Sequence, residues 1–166
     1  IATTQALVVR SGTEEWALPA QNVKQVHAFK HDELKEAYRS GKLRGAPIVY
    51  LLDLLNPKKV EPIIESYNTV IEFEQGGRSF FMQVDALIST DDVVIRPLAK
   101  PLSLVSGLGG TAYLGEGRMG LLLQPFALYE RKVRVGANIL AQKSVKKIIP
   151  ETNAAIISES NQCSLG

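Results

Sequence analysis

Hydrophobic and polar residues alternate along most of the chain, a two-residue period typical of β-strands. The alternating segments are short, and Gly, Pro, Asn and Asp, which favour turns, separate them. The pattern predicts strands at residues 5–10, 15–19, 22–29, 47–52, 69–74, 79–84, 92–97, 111–114 and 118–124. Helical spacing is confined to His31–Tyr38, a turn at residues 53–56, and residues 126–143. We therefore predict an all-β chain with short helices.

A weak internal repeat relates the two halves of the chain. Residues at a constant offset of 64 match, and within each strand every second residue belongs to the matched set. The matched pairs are Leu7 with Ile71, Val9 with Phe73, Gly12 with Gly76, Trp16 with Phe80, Leu18 with Met82, Ala20 with Val84, and Val23 with Leu87. We expect these residues to face the core of sheets whose other face is solvated. Two similar hairpins then open two halves of about five strands, and such short strands commonly close into small barrels.

The glycine-rich segment GLGGTAYLGEGRMGLLLQ, residues 107–124, could bind phosphate or form a hairpin. A phosphate loop places its glycines at the start of a helix, usually as GxGxxG or with Gly-Lys-Ser/Thr. Ala112 stands where the third glycine would be, and the residues after Gly117 have the pattern of a strand. We therefore interpret Gly115-Glu116-Gly117 as a hairpin connection.

Composition narrows the class of protein further. The 166 residues are 45% hydrophobic and carry a formal net charge of +2, which fits one ordinary domain or two very small ones sharing a core. The single cysteine, Cys163, excludes a disulfide framework. No apolar run approaches membrane-spanning length and no signal peptide is evident. The chain begins with Ile1 rather than Met, which suggests a piece of a longer polypeptide.

Residues that could carry catalysis are sparse. His27 and His31, the two histidines, have the positions of packing and capping residues, and no HExxH or GxSxG motif occurs. Asp91 and Asp92 fall where solvated carboxylates are ordinary. The lysines near the tail lack the interleaved aromatic residues of a single-strand nucleic-acid site. We predict no catalytic residue, no metal site and no cofactor.

Several motifs in order resemble the CheW-like domain of bacterial chemotaxis-type signalling, which occurs as the CheW adaptor and as the regulatory domain of CheA kinases. The segments are ALVVRSGTEEWALPAQNVKQV, LRGAPIVYLLDLL, FFMQVDALISTDDVVIRPL and GLGGTAYLGEGRMGLLLQPFAL, and together they span about residues 5–130. The HDELKEAY insertion is most similar to the hybrid CheA-type kinases that control twitching motility. Departures from the family pattern include Arg96, Glu116, Gln124 and the displaced Pro47.

The resemblance implies two intertwined five-stranded SH3-like barrels that share a core. It suggests a CheW-like domain at residues 1–143, followed by a polar tail at 144–166. Barrel one is expected at residues 5–29 plus a C-terminal return strand, and barrel two at residues 47–124.

The resemblance also implies a non-catalytic scaffold in the cytoplasm, recruited to membrane receptor arrays. Its expected partners are a CheW-type adaptor, CheA-type kinase domains and the cytoplasmic tip of a chemoreceptor, with neither nucleic acid nor membrane insertion, and the parent chain would be a histidine kinase. The expected partner-binding residues are Arg44, Val49, Leu51, Asp53, Val94, Arg96 and Leu108. Arg44 is the first choice among them as a docking residue. The alternatives for Arg44 are an internal brace and a solvated surface charge.

Three other functions remain open from the sequence. The chain could be a free-standing CheW adaptor or a nucleic-acid-binding barrel, whose affinity would fall steeply with salt. It could also be a small enzyme or nucleotide-binding domain, for which a nucleotide would shift the melting temperature.

Overall fold

The computed structural model describes residues 2–134, which form ten strands and short helices. The strands are β1 (Ala2–Ser11), β2 (Glu14–Pro19), β3 (Val23–Lys30), β4 (Lys42–Leu43), β5 (Ala46–Tyr50), β6 (Tyr67–Gln75), β7 (Arg78–Val84), β8 (Ala86–Arg96), β9 (Leu108–Gly115) and β10 (Arg118–Leu123). The helices are α1 (His31–Ser40), α2 (Leu51–Leu55), a 3₁₀ turn (Leu102–Leu104) and α3, described over residues 125–134. The remainder of the helix expected to reach 143, and the tail at 144–166, lie outside the described residues.

The strands form two five-stranded sheets, which confirms the predicted fold class. One sheet is a closed barrel in the order β1-β2-β10-β9-β8, and the other has the order β3-β6-β7-β5-β4. The barrel closes because β8 pairs with β9, with Ile95 opposite Ala112. In the second sheet, the strand that corresponds to β8 is β3. It pairs only with β6 and is followed by the helix α1, so this sheet stays open.

The internal repeat is visible in the register of the two opening hairpins. Each hairpin has a two-residue turn in which the first residue is a glycine with positive φ, Gly12 at 69° and Gly76 at 58°. The equivalent strand pairs are Leu7 with Leu18 and Val9 with Trp16 in β1–β2, and Ile71 with Met82 and Phe73 with Phe80 in β6–β7. The predicted equivalence of the two hairpins is confirmed.

The third strand of each repeat, however, pairs with the hairpin of the other repeat. β3 follows the first hairpin but pairs with β6, and β8 follows the second hairpin but pairs with β1. The exchange is reciprocal even in register, since Phe73 lies opposite Val23 and Val9 lies opposite Leu87. Both pairings also contain an irregularity next to these residues. The two repeats are intertwined in this sense.

This exchange corrects the predicted barrel boundaries. The second sheet is built from residues 23–84, whereas the closed barrel combines residues 2–19 with residues 86–123. β3 was expected in barrel one, and β8, β9 and β10 in barrel two; both expectations are wrong. Strand exchange is a tertiary pairing, and the two-residue pattern that locates a strand carries no information about its partner.

Three groups of buried side chains form the interior. A shared core lies between the sheets and contains Leu7, Val9, Leu18, Leu51, Leu54, Ile71, Phe73, Phe80, Met82, Val84, Leu123 and Leu128. The interior of the closed barrel is smaller and includes Ala6, Ala17, Val93, Ala112 and Leu122. The third group packs α1 onto the second sheet through Leu34 and Ala37, against Phe29, Val70 and Phe81.

The repeat residues therefore face the other sheet, and the expectation that the opposite face of their strands is solvated is wrong. Along β1, Ala6 and Val8 are as buried as Leu7 and Val9. The odd-numbered residues join the shared core, whereas Ala6 points into the barrel. Strands buried on both faces read as continuous hydrophobic runs, which is the pattern of ALVV at residues 6–9.

Candidate docking surface

Arg44 lies in the tight turn between β4 and β5 and contacts its own domain. Arg44 and Gly45 have φ of 49° and 83°, the two positive values of a type I′ hairpin turn. The Arg44 guanidinium lies 4.8 Å from the centre of the Phe29 ring, and its Nε is 3.6 Å from Oε1 of Glu33 on α1. The side chain remains more than half exposed. Of the three roles considered for Arg44, these contacts favour the internal brace.

The predicted residues on β5 and α2 are mostly engaged inside the fold. Leu51 is completely buried in the shared core, so the expectation that its side chain binds a partner is wrong. It is buried because β5 runs directly into α2, whose first residue enters the space between the sheets. Val49 is half-buried against the same core. Asp53 accepts hydrogen bonds from the Val60 backbone N–H (2.8 Å) and from Lys132 Nζ (3.3 Å).

The predicted residues of the closed barrel have different surroundings. Val94 and Arg96 are exposed on β8 and lie two residues apart, so their side chains share one face of the strand. Leu108, at the start of β9, is half-buried against the shared core. The structure thus brings Val94 and Arg96 together on the barrel and places Arg44 and Val49 in the other sheet.

An apolar row crosses the outside of the closed barrel at Val94. Val94 lies opposite Tyr113 on β9, and Tyr113 lies opposite Met119 on β10. Their exposed fractions are 37%, 45% and 53%. The Tyr113 hydroxyl accepts a hydrogen bond from the Gly117 backbone N–H (3.2 Å), which holds the ring in place. We call these three residues the barrel-face row.

Sequence reasoning missed Tyr113 and Met119, although a signal was available. They flank the turn at Glu116–Gly117, whose φ values of 53° and 74° are those of a type I′ turn and confirm the hairpin interpretation. Tyr113 alternates with Ala112 and Leu114 on β9, and this alternation would have identified it as a residue of the outer face. Met119 lies opposite Tyr113 only because the register shifts between Arg118 and Met119, which the two-residue turn does not predict.

Buried polar side chains hold the connection at residues 56–66, which has no regular structure. Gln83 accepts a hydrogen bond from the Tyr38 hydroxyl and donates one to the Ile63 carbonyl, both at 2.7 Å. Asn68 accepts from the Glu65 backbone N–H (2.8 Å) and donates to the Glu65 carbonyl (2.9 Å). With the Asp53–Val60 bond, these contacts fix the connection at three places.

Asp85 forms a second polar cluster where the chain passes from one sheet to the other. Its carboxylate accepts hydrogen bonds from the Gly12 backbone N–H (2.8 Å) and the Tyr50 hydroxyl (2.6 Å). Burial, followed by the contact with Asp85, raises the pKa of Tyr50 to about 12. Burial likewise raises the pKa of Tyr38 above its usual range. Both hydroxyls therefore stay neutral near neutral pH and act as structural donors.

Residues 2–134 were also predicted to contain no catalytic histidine and no metal site. His27 contacts Glu72 (Nε2 to Oε1, 2.8 Å) and packs beside Phe29, with ring centres 5.2 Å apart, as expected for a packing residue. Across these residues no group of three or more His, Cys, Asp or Glu side chains could hold a metal ion. None of the helices in this part of the chain is long and apolar enough to cross a membrane.

The described residues thus form a small double-sheet domain with an exposed apolar row. Residues 4–133 match the model of the CheW-like domain, and the chain belongs to this family. The domain is a non-catalytic scaffold of chemotaxis signalling.

Curated relatives and a solved structure agree with this family. The chain is 29% identical over 134 residues to the chemotaxis protein CheA of Treponema pallidum, covering 78% of this chain and 16% of that protein. It is 28% identical over 142 residues to the sensor histidine kinase CheAY of Helicobacter pylori, covering 84% and 18%. The chain thus spans less than a fifth of these relatives.

The crystal structure of the scaffolding protein TtCheW from Thermoanaerobacter tengcongensis has the same fold. Its TM-score is 0.50 at 17% identity, covering 75% of this chain and 86% of that one.

Proposed function

We propose that this domain docks a CheA-type histidine kinase to a CheW-type adaptor and a chemoreceptor in the cytoplasm, and thereby regulates the kinase. The similarity to CheA and CheAY supports a kinase domain over a free-standing adaptor. The assignment to kinases of twitching motility, which rests on the HDELKEAY segment now seen as α1, stays a prediction.

The observation that carries the proposal is the barrel-face row. Three exposed apolar side chains on adjacent strands form a row about 10 Å long at the usual strand spacing. Exposed aromatic and Met side chains are enriched where proteins bind each other, with polar residues around them. Arg96 lies on the same face as Val94 and supplies a cation at the edge of this row. We propose Val94, Tyr113 and Met119 as the contact for the adaptor, with Arg96 beside them.

The barrel-face row also suits a binding site energetically. A tyrosine loses little conformational freedom on binding when its hydroxyl is already held, as the Gly117 N–H holds Tyr113. The barrel beneath the row is closed, so its strands present no unpaired barrel edge that would have to rearrange on binding.

Substitution of the barrel-face row tests the proposal. Tyr113→Ser and Met119→Ser should each weaken binding of the purified adaptor of the same organism about tenfold or more, because each removes a central apolar contact. Isothermal titration calorimetry measures the affinity, and circular dichroism checks that the melting temperature is retained. Tyr67→Ser is the matched control, since Tyr67 is an exposed tyrosine of the second sheet. Wild-type affinity in both row variants, or an equal loss in the control, would contradict the proposed contact.

A further inference from the structure

The segment that joins β8 to β9, residues 97–107, exposes two leucines. Leu102 is 51% exposed and Leu104 is 73% exposed, and both belong to the 3₁₀ turn. The segment leads into the start of β9, whereas the turn that follows Tyr113 lies at the other end of that strand. The two leucines are therefore separate from the barrel-face row along β9.

Hydrogen bonds hold the turn that carries the leucines. The backbone N–H groups of Leu104 and Val105 donate to the carbonyls of Pro101 and Leu102, both at 3.0 Å. Such a turn presents its side chains in a fixed arrangement, which reduces the conformational entropy lost on binding.

Two contacts fasten the end of the segment to the body of the domain. The Gln124 backbone N–H donates to the Gly107 carbonyl at 2.8 Å. Arg131 of α3 donates through Nη1 to the Ser106 carbonyl (3.0 Å) and through Nη2 to the Leu54 carbonyl at the end of α2 (3.3 Å). Burial and the neighbouring charge of Arg134 lower the pKa of Arg131. The segment is thus an anchored part of the surface.

The charged side chains of the segment and of the residue before it are all cationic. Residues 96–107 include Arg96 and Lys100 and contain no Asp or Glu. α3, which contacts the segment through Arg131, also carries Lys132, Arg134 and Glu130, and Glu130 pairs with Arg78 at 2.9 Å. Two leucines beside a mainly cationic surface are complementary to an apolar groove with carboxylates at its rim.

We propose that Leu102 and Leu104 insert into an apolar groove, bordered by Asp or Glu side chains, on a protein partner of this domain. The inference rests on the proposed docking function and adds a second contact to it. A protein groove is favoured over an anionic membrane, because basic segments that bind anionic lipid carry about four to eight Lys or Arg residues. Of the cations around the leucines, Arg131 donates to two backbone carbonyls and Lys132 pairs with Asp53. That leaves Arg96, Lys100 and Arg134, fewer than such segments carry.

The experiment uses the full 166-residue chain. The binding affinity of the chain is measured for two purified probes from the same organism. They are the CheW-type adaptor and the cytoplasmic fragment of a chemoreceptor. Leu102→Ser/Leu104→Ser and Lys100→Glu should each lower the affinity for the same probe about tenfold. Raising NaCl from about 50 to 500 mM should weaken wild-type binding more than binding of the Lys100→Glu variant, because salt screens the charge contact. Ile63→Ser is the control, since Ile63 is 64% exposed on the fixed connection at residues 56–66.

Several outcomes would overturn the inference. If both leucine and lysine variants bind both probes like the wild type while Tyr113→Ser loses the adaptor, the inference fails and the proposed function stands. A leucine-dependent change in sedimentation of the chain alone would identify a second copy as the occupant. Leucine-dependent binding to phosphatidylserine vesicles would identify a membrane. Leu104→Ser alone, at the more exposed leucine, decides the result if the double variant does not fold.

Discussion

Arg44 occupies a turn position with positive φ, packs on Phe29 and still exposes more than half of its side chain. A non-glycine residue with φ of 49° is strained, which costs of the order of 1 kcal/mol. The stacking on Phe29 and the contact with Glu33 offset this cost and tie the β4–β5 turn to β3 and α1. Glu116 occupies the same place in the β9–β10 turn, with φ of 53°. Family resemblance drew attention to Arg44, but its contacts within the domain became visible only in the structure.

A conservative substitution separates the two roles of Arg44. Arg44→Lys keeps the charge but loses the planar group that stacks on Phe29, so the free energy of unfolding should fall by about 0.5–1 kcal/mol. Urea denaturation followed by circular dichroism measures this change. Arg39→Lys is the control, because the Arg39 guanidinium pairs with Glu36 on exposed helix surface and should matter little. Unchanged stability together with lost adaptor binding would show that Arg44 is a docking residue instead.

At the scale of elements, the two hairpins are equivalent and the segments that follow them are not. In the first repeat β3 is followed by α1, whereas in the second β8 continues to Arg96 and closes the barrel with β9. The HDELKEAY segment explains the difference. Leu34 and Ala37 lie three residues apart and pack as one helical face on the second sheet. The Gly41 N–H then ends α1 by donating to the Ala37 carbonyl (2.7 Å), with Gly41 at φ of 81°.

The chain's two methionines provide a matched test of the hairpin equivalence. Met82→Ala should lower the free energy of unfolding by about 2–5 kcal/mol, because Met82 is completely buried in the shared core. Leu18→Ala, at the equivalent position of the other hairpin, should cost a similar amount. Met119→Ala makes the same chemical change at an exposed position and should stay within about 0.5 kcal/mol. Chemical denaturation measures all three, and similar stabilities of the Met82 and Met119 variants would disprove the assigned core.

At the scale of the whole molecule, the exchange of strands joins the two repeats into one folding unit. Each sheet combines strands from both halves of the sequence, and the shared core lies between the sheets. Neither half of the sequence can complete a sheet without the other. The outside of the closed barrel and the segment at 97–107 carry the exposed apolar residues that we propose for partner binding.

This arrangement predicts a single unfolding transition. Trp16, the only tryptophan, lies on β2 of the closed barrel and packs against the shared core, so its fluorescence reports that barrel and its contact with the second sheet. Far-UV circular dichroism follows the whole chain. The two urea transitions should coincide. Phe81→Ala, in the separate α1 cluster of the second sheet, should shift the Trp16 transition as much as the circular dichroism transition. A Trp16 transition that does not move would show that the sheets unfold independently.

Local patterns by themselves determined most of the elements and the hairpins, and the resemblance of ordered motifs indicated the family. Strand positions follow from the two-residue period, and glycines such as Gly12, Gly76 and Gly117 locate turns because those turns require positive φ. Only the tertiary structure decided which strands pair, because β3 and β8 carry the same pattern whichever hairpin they join. In the folded chain Leu51 is buried and Asp53 accepts a hydrogen bond from the Val60 N–H. Val94, in contrast, stays exposed in one row with Tyr113 and Met119. Burial depends on contacts between residues far apart in the chain, and a local pattern does not contain them.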